Sequence, residues 1–361
     1  MKLSIILGGL AITLSTAAPL APRVVDYSPF PLADGFPNPS QEQIEAIQQQ
    51  ALGTLPNSPP PPTISAEGIT NLQLIALNEI FEVAFFTELL ANVTTGCPGF
   101  ELDETEKEQL VEILTAVQAQ EQLHALSANT ALKNFNVAEI LPCEYNFRVS
   151  NLSSALTLAS TFTSLVLGTL QDVIEVFAEN GDAALAAQLS SVVGQEGEQQ
   201  GFYRFQQGKI PSELPFLTVA TREFAFNALI QQFIVPGSCP NINTINIPQV
   251  GPLNLIAGPD IAQNISTVQF EFTLSGQEEA TEVAAEELKL AYVNQQNVPI
   301  VEDLQILSIE GQTVLVQAPF PYREYLMNGL TVAAIVEGKQ FATAQDVSKA
   351  MEFGPALIII N

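Results

Sequence analysis

Glu121 and His124 stand three residues apart in a segment whose apolar or small residues Leu110, Leu114, Val117 and Ala128 recur at three- and four-residue steps. On a helix that spacing puts the carboxylate and the imidazole on the leucine stripe, facing a core. His124 is the only histidine in the chain. A Glu/His pair at i, i+3 on a buried face is a donor set that di-iron and di-manganese helical proteins turn toward metal. Glu196 and Gln199 repeat the spacing on another helical segment, and Glu79 adds a third inward carboxylate. A buried carboxylate left charged and unpaired is strongly destabilising, so three of them need partners. Two arrangements meet that need. In one, Glu79, Glu121, His124 and Glu196 hold a metal ion, with Gln199 as a further donor. In the other the core is metal-free and polar, with a carboxyl protonated or paired to Gln199 and Tyr203.

Four long helices must position these residues. The first is predicted over 71–91, with Leu72, Ile75, Glu79, Val83 and Phe86 on one stripe. The second covers 104–132, capped by Asp103 and opening with Glu104, Glu106 and Glu108 against the helix dipole. The third spans 151–180 and ends at Asn180-Gly181, a left-handed C-cap signal. The fourth spans 183–207, with Leu185, Leu189, Val192, Glu196, Gln199 and Tyr203 inward. Where the third helix should supply a fourth carboxylate it has Thr163, and Glu175 falls near its end. Without that carboxylate or a second histidine, the donors suit one iron or manganese ion better than two. Gly194, Gly197 and Gly201 interrupt the fourth helix, which suggests close helix packing there.

About sixteen residues containing Pro142 join the second and third helices. Extended at ~3.3 Å per residue, they can run the length of a ~30-residue helix, so two hairpins joined by one long crossover are expected. A fifth helix is predicted over 219–233. From 238 the period shortens to two, as in Val268, Phe270 and Phe272, with further runs at 287–294, 304–309, 312–318, 330–337 and 356–360. The predicted class is α+β: a helical bundle over 65–237, then a mostly antiparallel, sandwich-like β domain over 238–361 with a short helix near 343–350.

Residues 1–17 read as a secretory leader, with Lys2, an apolar run from Leu3 to Leu14, and Ser15-Thr16-Ala17 before the cut. Residues 18–64 form a proline-rich arm carrying one short helix, 41–51, capped by Ser40. The exported protein is expected to reach the extracellular space or cell wall. Sequons at Asn92, Asn151 and Asn264 fit that compartment. The net charge of -27 disfavours nucleic acid and anionic membranes as partners. With 47% hydrophobic and 14% charged residues, the chain folds rather than staying disordered. One histidine leaves no Ser-His-Asp arrangement beyond it, and no glycine loop cradles phosphate. Three cysteines, Cys97, Cys143 and Cys239, suggest one disulfide and one leftover thiol.

Several stretches carry a resemblance: LPNSPPPPTISAEGITNLQLIALNEIFEVAFF, EQLHALSANTAL, LPCEYNF, TFTSLVLGTLQDV, GQEGEQQGFYRFQQGKIPSELPFLT and FIVPGSC. Over roughly residues 50 to 240 the chain resembles fungal secreted ferritin-like proteins of the late sexual development and stress-response type. The resemblance implies a ferritin-like four-helix bundle plus a fifth helix, secretion, and a role in development, sporulation or stress rather than a defined reaction. It implies that Glu79, Glu121, His124 and Glu196 occupy the ligand positions. Gln199 departs from histidine and Thr163 from glutamate, which weakens the expectation of oxidase or catalase chemistry. It also tips the disulfide toward Cys143–Cys239 over Cys97–Cys143. Cell-wall or matrix components are the partners that such a role suggests.

Overall fold

The computed structural model describes residues 28–274 and 288–360. The leader expected over 1–17 and the first residues of the arm lie outside them. The described residues form an α+β protein with eight α-helices and two four-stranded antiparallel sheets.

The arm carries α1 (Gln41–Gln50), begun by a reciprocal Ser40–Gln43 capping box. Ile47 of α1 and the following Ala51 pack on Ala119 and Leu123, which fixes the arm against the helical core. Ser65 caps α2 (Ala66–Thr95), and Gly96 ends it in the left-handed region at φ 62°. Asp103 caps α3 (Glu104–Asn134), and Asn151 caps α4 (Leu152–Glu179). The fourth long helix is α5 (Ala183–Gln206), and α6 (Arg222–Gln232) follows with Thr221 as its cap. Helices α2 and α3 pack as one pair, α4 and α5 as another, and α2 lies against α4.

The α2 helix is buried on every face from residue 70 to residue 86. Its sequence there, including Ile80-Phe81 and Ala84-Phe85-Phe86, is apolar all round, as a central helix must be. An aromatic cluster of Phe81, Phe85, Phe147 and Phe162 fills the space beside it, with ring centroids 5.0–5.6 Å apart. By length and composition α4 could cross a membrane, but 67% of its most apolar window is buried inside the protein. Core packing accounts for its hydrophobicity.

Between α3 and α4 the chain runs back extended and is fastened to the tail of α6. Tyr145 forms an isolated bridge with Ile234, and Val235 donates to the Glu144 carbonyl at 2.9 Å. Cys143 is disulfide-bonded to Cys239, while Cys97 is free and half-buried.

One sheet has the order β1 (Asn254–Ala257), β2 (Thr267–Thr273), β6 (Thr313–Pro319), β5 (Gln305–Glu310). The other runs β4 (Ile300–Asp303), β3 (Leu288–Asn294), β7 (Gly329–Glu337), β8 (Met351–Ile360). Between them lie Val268, Phe270 and Phe272 of β2 and Leu290 and Tyr292 of β3. The opposite face of the second sheet packs Val293, Val332 and Ala334 on Leu165 of α4 and Phe224 of α6. Strands β3 and β7 are thus covered on both sides, which explains their nearly continuous apolar sequences. The two short remaining helices are α7 (Tyr322–Tyr325) and α8 (Ala344–Lys349). Alternation in the sequence marked β2, β3 and β5–β8; it missed the four-residue strands β1 and β4, too short to show a period.

Gly168 joins the two halves. A Cβ there would lie 2.4 Å from the Thr218 carbonyl and 2.9 Å from the Ala220 nitrogen. Only a residue without a side chain lets segment 218–220 pass so close to α4. Thr218 then donates to the Leu330 carbonyl of β7 at 2.6 Å.

Candidate metal centre

Three helices bring the predicted ligands together. His124 Nδ1 lies 3.0 Å from Glu121 Oε2, 3.4 Å from Glu79 Oε2 and 3.7 Å from Glu196 Oε1. One donor atom from each of the four residues lies within 4.8 Å of all the others, a group that could hold a metal ion. The three carboxylates are at most 1% exposed. The His124 side chain retains 17% exposure.

Gln199 was expected as a possible further ligand and is placed differently. Its Nε2 donates to Glu121 Oε1 at 2.6 Å, while its Oε1 accepts from the Tyr203 hydroxyl at 2.8 Å. Since a phenol that donates must meet an oxygen, the amide turns its nitrogen to Glu121. Gln199 therefore orients Glu121, with its own oxygen turned to Tyr203 and not to the cluster. Tyr203 is itself buried and stacks on Phe86, centroids 5.9 Å apart, which walls this side of the cluster from water.

A fourth carboxylate is present, though not on the third long helix. Glu82, three residues after Glu79, is fully buried and accepts from Asn78 Nδ2 at 2.7 Å. Thr163, where the sequence reading sought this group, is buried with its hydroxyl unpartnered. Glu82 does not stand out on a stripe because a stripe marks one buried face, and α2 has no exposed face in this stretch. The signal available was the spacing of Glu79 and Glu82 itself.

Four carboxyls and one imidazole in so dry a space shift one another's protonation. Burial pushes Glu79 up to about 7, against the pull of His124. Burial and the neighbouring carboxylates hold Glu82 and Glu196 well above the usual carboxylate range. Burial would raise Glu121 too, but the charge and hydrogen bond of His124, with the Gln199 amide, carry it below its ordinary value. Burial disfavours the imidazolium of His124, yet Glu121 and Glu79 outweigh this and raise it well above the ordinary value. The core thus centres on a Glu121–His124 ion pair flanked by carboxyls that hold protons.

Proton-holding does not satisfy every oxygen. Both oxygens of Glu196 and Oε2 of Glu82 are buried and accept no hydrogen bond, and Oε2 of Glu79 has only His124 Nδ1 at 3.4 Å. Buried acceptors facing one another without donors are what a cation satisfies. An open route reaches the cluster: a cavity of about 400 Å³ touches Glu79 and His124.

The other singled-out residues fall elsewhere. Asn92 is half-buried near the end of α2, and Asn264 is exposed at a turn with φ 60°. Asn151 Oδ1 caps α4 by accepting from the Ser154 amide at 2.8 Å. The glycines of α5 do not mark close packing, because a Cβ at Gly194 or Gly197 would meet nothing within 4 Å and one at Gly201 would make ordinary contact with Pro211. No protein-family model matches the chain, and no curated protein matches it either.

Proposed function

We propose that the protein is an exported ferritin-like protein whose helical core binds a single iron or manganese ion through Glu79, Glu121, His124 and Glu196. The observation that carries this reading is the set of buried carboxylate oxygens with no donor, gathered around one imidazole nitrogen. Mixed carboxylate and imidazole donors suit these divalent ions. Glu82 lies outside the group of four donors, and burial, with the neighbouring Glu196, holds its carboxyl well above the usual carboxylate range. Gln199 orients Glu121, while Tyr203 and Phe86 exclude water. A bound iron or manganese ion supplies one-electron chemistry toward dioxygen or peroxide. With one histidine and one well-made position, turnover is expected to be slow or absent. The disulfide is consistent with an extracellular protein. The resemblance in residues 50–240 favours a place in fungal development, sporulation or stress, and a glycan at the exposed Asn264 would suit a wall or matrix setting.

A metal-free polar core is the second reading, favoured by the raised carboxyls of Glu82 and Glu196. Electron paramagnetic resonance of added Mn²⁺ separates the two. The account expects the free-ion signal to vanish up to one equivalent per chain and to persist in His124→Ala. Persistence of the signal in the wild type would favour the metal-free core.

A further inference from the structure

The cavity beside the cluster has walls that a metal site does not require. Leu72, Ile75, Leu123, Phe177, Leu189 and Val192 line it, from α2, α3, α4 and α5, and residues 51–56 of the arm close one side. Its inner end is polar, with His124, Glu79, Gln120 and Gln195. There Gln195 donates through Nε2 to Gln120 Oε1 at 2.9 Å, while its own Oε1 is buried and accepts nothing. Glu79 Oε2 at the same end is met only by His124 Nδ1, 3.4 Å away. The slot is therefore apolar along its walls and carries an unmet acceptor, Gln195 Oε1, at its head.

We propose that this cavity binds a neutral, chain-like molecule of about ten carbons with a hydroxyl at one end, a medium-chain primary alcohol being the simplest example. Size supports it: about 400 Å³ holds roughly a dozen groups of water or methylene size, at ~30 Å³ each. Chemistry selects the head group. A hydroxyl donates to Gln195 Oε1, satisfying a buried acceptor. A carboxylate head brings no donor for Gln195 Oε1, and the one cationic group beside it, His124, is already engaged by Glu121 and Glu79, so fatty acids are disfavoured. The inference goes beyond metal binding and does not depend on it, since the apolar walls and Gln195 stand apart from the ligand set.

Calorimetric titration of the full chain with 1-decanol and with decanoate tests it, on chelator-treated and on Mn²⁺-supplemented protein. One equivalent of decanol is expected to bind in both samples, with decanoate at least tenfold weaker. Leu189→Trp, which fills the slot, is expected to weaken decanol binding at least tenfold. Ala131→Phe, at a partly buried wall position, tests the same point with less risk to folding. Gln195→Leu is expected to lower decanol affinity about tenfold and to bring it close to that of the methyl ether of decanol, which lacks the donor. Absence of decanol binding would overturn the proposal even if Mn²⁺ loads. So would decanoate binding as tightly as decanol, or unchanged affinity in folded Leu189→Trp and Ala131→Phe. Decanol binding without Mn²⁺ uptake would leave the cavity assigned and the metal reading refuted.

Discussion

Gln199 Nε2 of α5 donates to Glu121 Oε1 of α3 at 2.6 Å, so a buried carboxylate on one helix is aimed by an amide on another. The same amide accepts from Tyr203 one turn further along α5. Removing Gln199 therefore strands two buried partners. Gln199→Leu is expected to destabilise the metal-free protein by about 1–3 kcal/mol, and Tyr203→Phe by about 1 kcal/mol. Urea unfolding of chelator-treated samples measures both. A Gln199→Leu variant as stable as wild type would mean that the chain of hydrogen bonds is not maintained.

Stability and metal affinity should depend on pH in opposite directions. Glu79 is raised from its ordinary 4.5 to about 7, and Glu82, Glu196 and His124 are also raised well above their own ordinary values. The folded protein holds these protons more tightly than the unfolded chain does. Their stabilising contribution is full below about pH 4.5 and is lost as pH rises through 7 and beyond. Glu121, whose value is lowered, acts in the other sense, and only under acid conditions. Metal binding must displace the protons, so affinity rises with pH. The melting temperature of the metal-free protein should accordingly fall from pH 5 to pH 8, and added Mn²⁺ should raise it more at pH 8 than at pH 5. Scanning calorimetry at the two pH values would contradict this if Mn²⁺ stabilised more at pH 5.

Glycines of the bundle should respond to alanine with opposite signs. Gly194 and Gly197 are exposed within α5, with open space around them. Gly194→Ala and Gly197→Ala should each stabilise by about 0.5–1 kcal/mol, the usual difference between alanine and glycine in a helix. Gly168→Ala must push segment 218–220 off α4 and should destabilise by about 1–3 kcal/mol. Denaturant midpoints at constant slope would show both effects, and loss of stability in Gly194→Ala would contradict the open face.

Much of the helical half was legible because its stripes are regular and its ends are marked. Ser40, Asp103 and Asn151 cap the helices they were expected to cap or adjoin, and Asn180-Gly181 ends α4. The helix expected from 71 begins five residues earlier, because Ser65 serves as the cap and is itself held by Asp182 through a 2.5 Å hydroxyl bond. That partner lies 117 residues away, beyond the reach of local patterns. Glu79, Glu121, His124 and Glu196 could be read because each sits on an inward stripe. Glu82 could not be read that way, since a helix buried all round has no stripe. Gln199 lay on the right face, but its role depends on which way an amide turns, which only the contact with Tyr203 decides.

The disulfide closes a separation of 96 residues and ties the crossover to the tail of α6. Replacing Cys143 and Cys239 together by Ser should cost about 2–5 kcal/mol, by loss of the constraint on the unfolded chain. Cys97→Ser should stay within about 0.5 kcal/mol of wild type, as an unbonded and only half-buried site allows. Parallel unfolding curves of the two variants provide the comparison, and equal destabilisation would contradict it.

The central claim is that Glu79, Glu121, His124 and Glu196 hold one ion. Elemental analysis of the protein purified from its natural source, beside a His124→Ala variant prepared identically, tests it most directly. The account predicts close to one iron or manganese per chain in the wild type and little in the variant, with both proteins folded. Two metals per chain, no metal, or unchanged metal content in His124→Ala would contradict it.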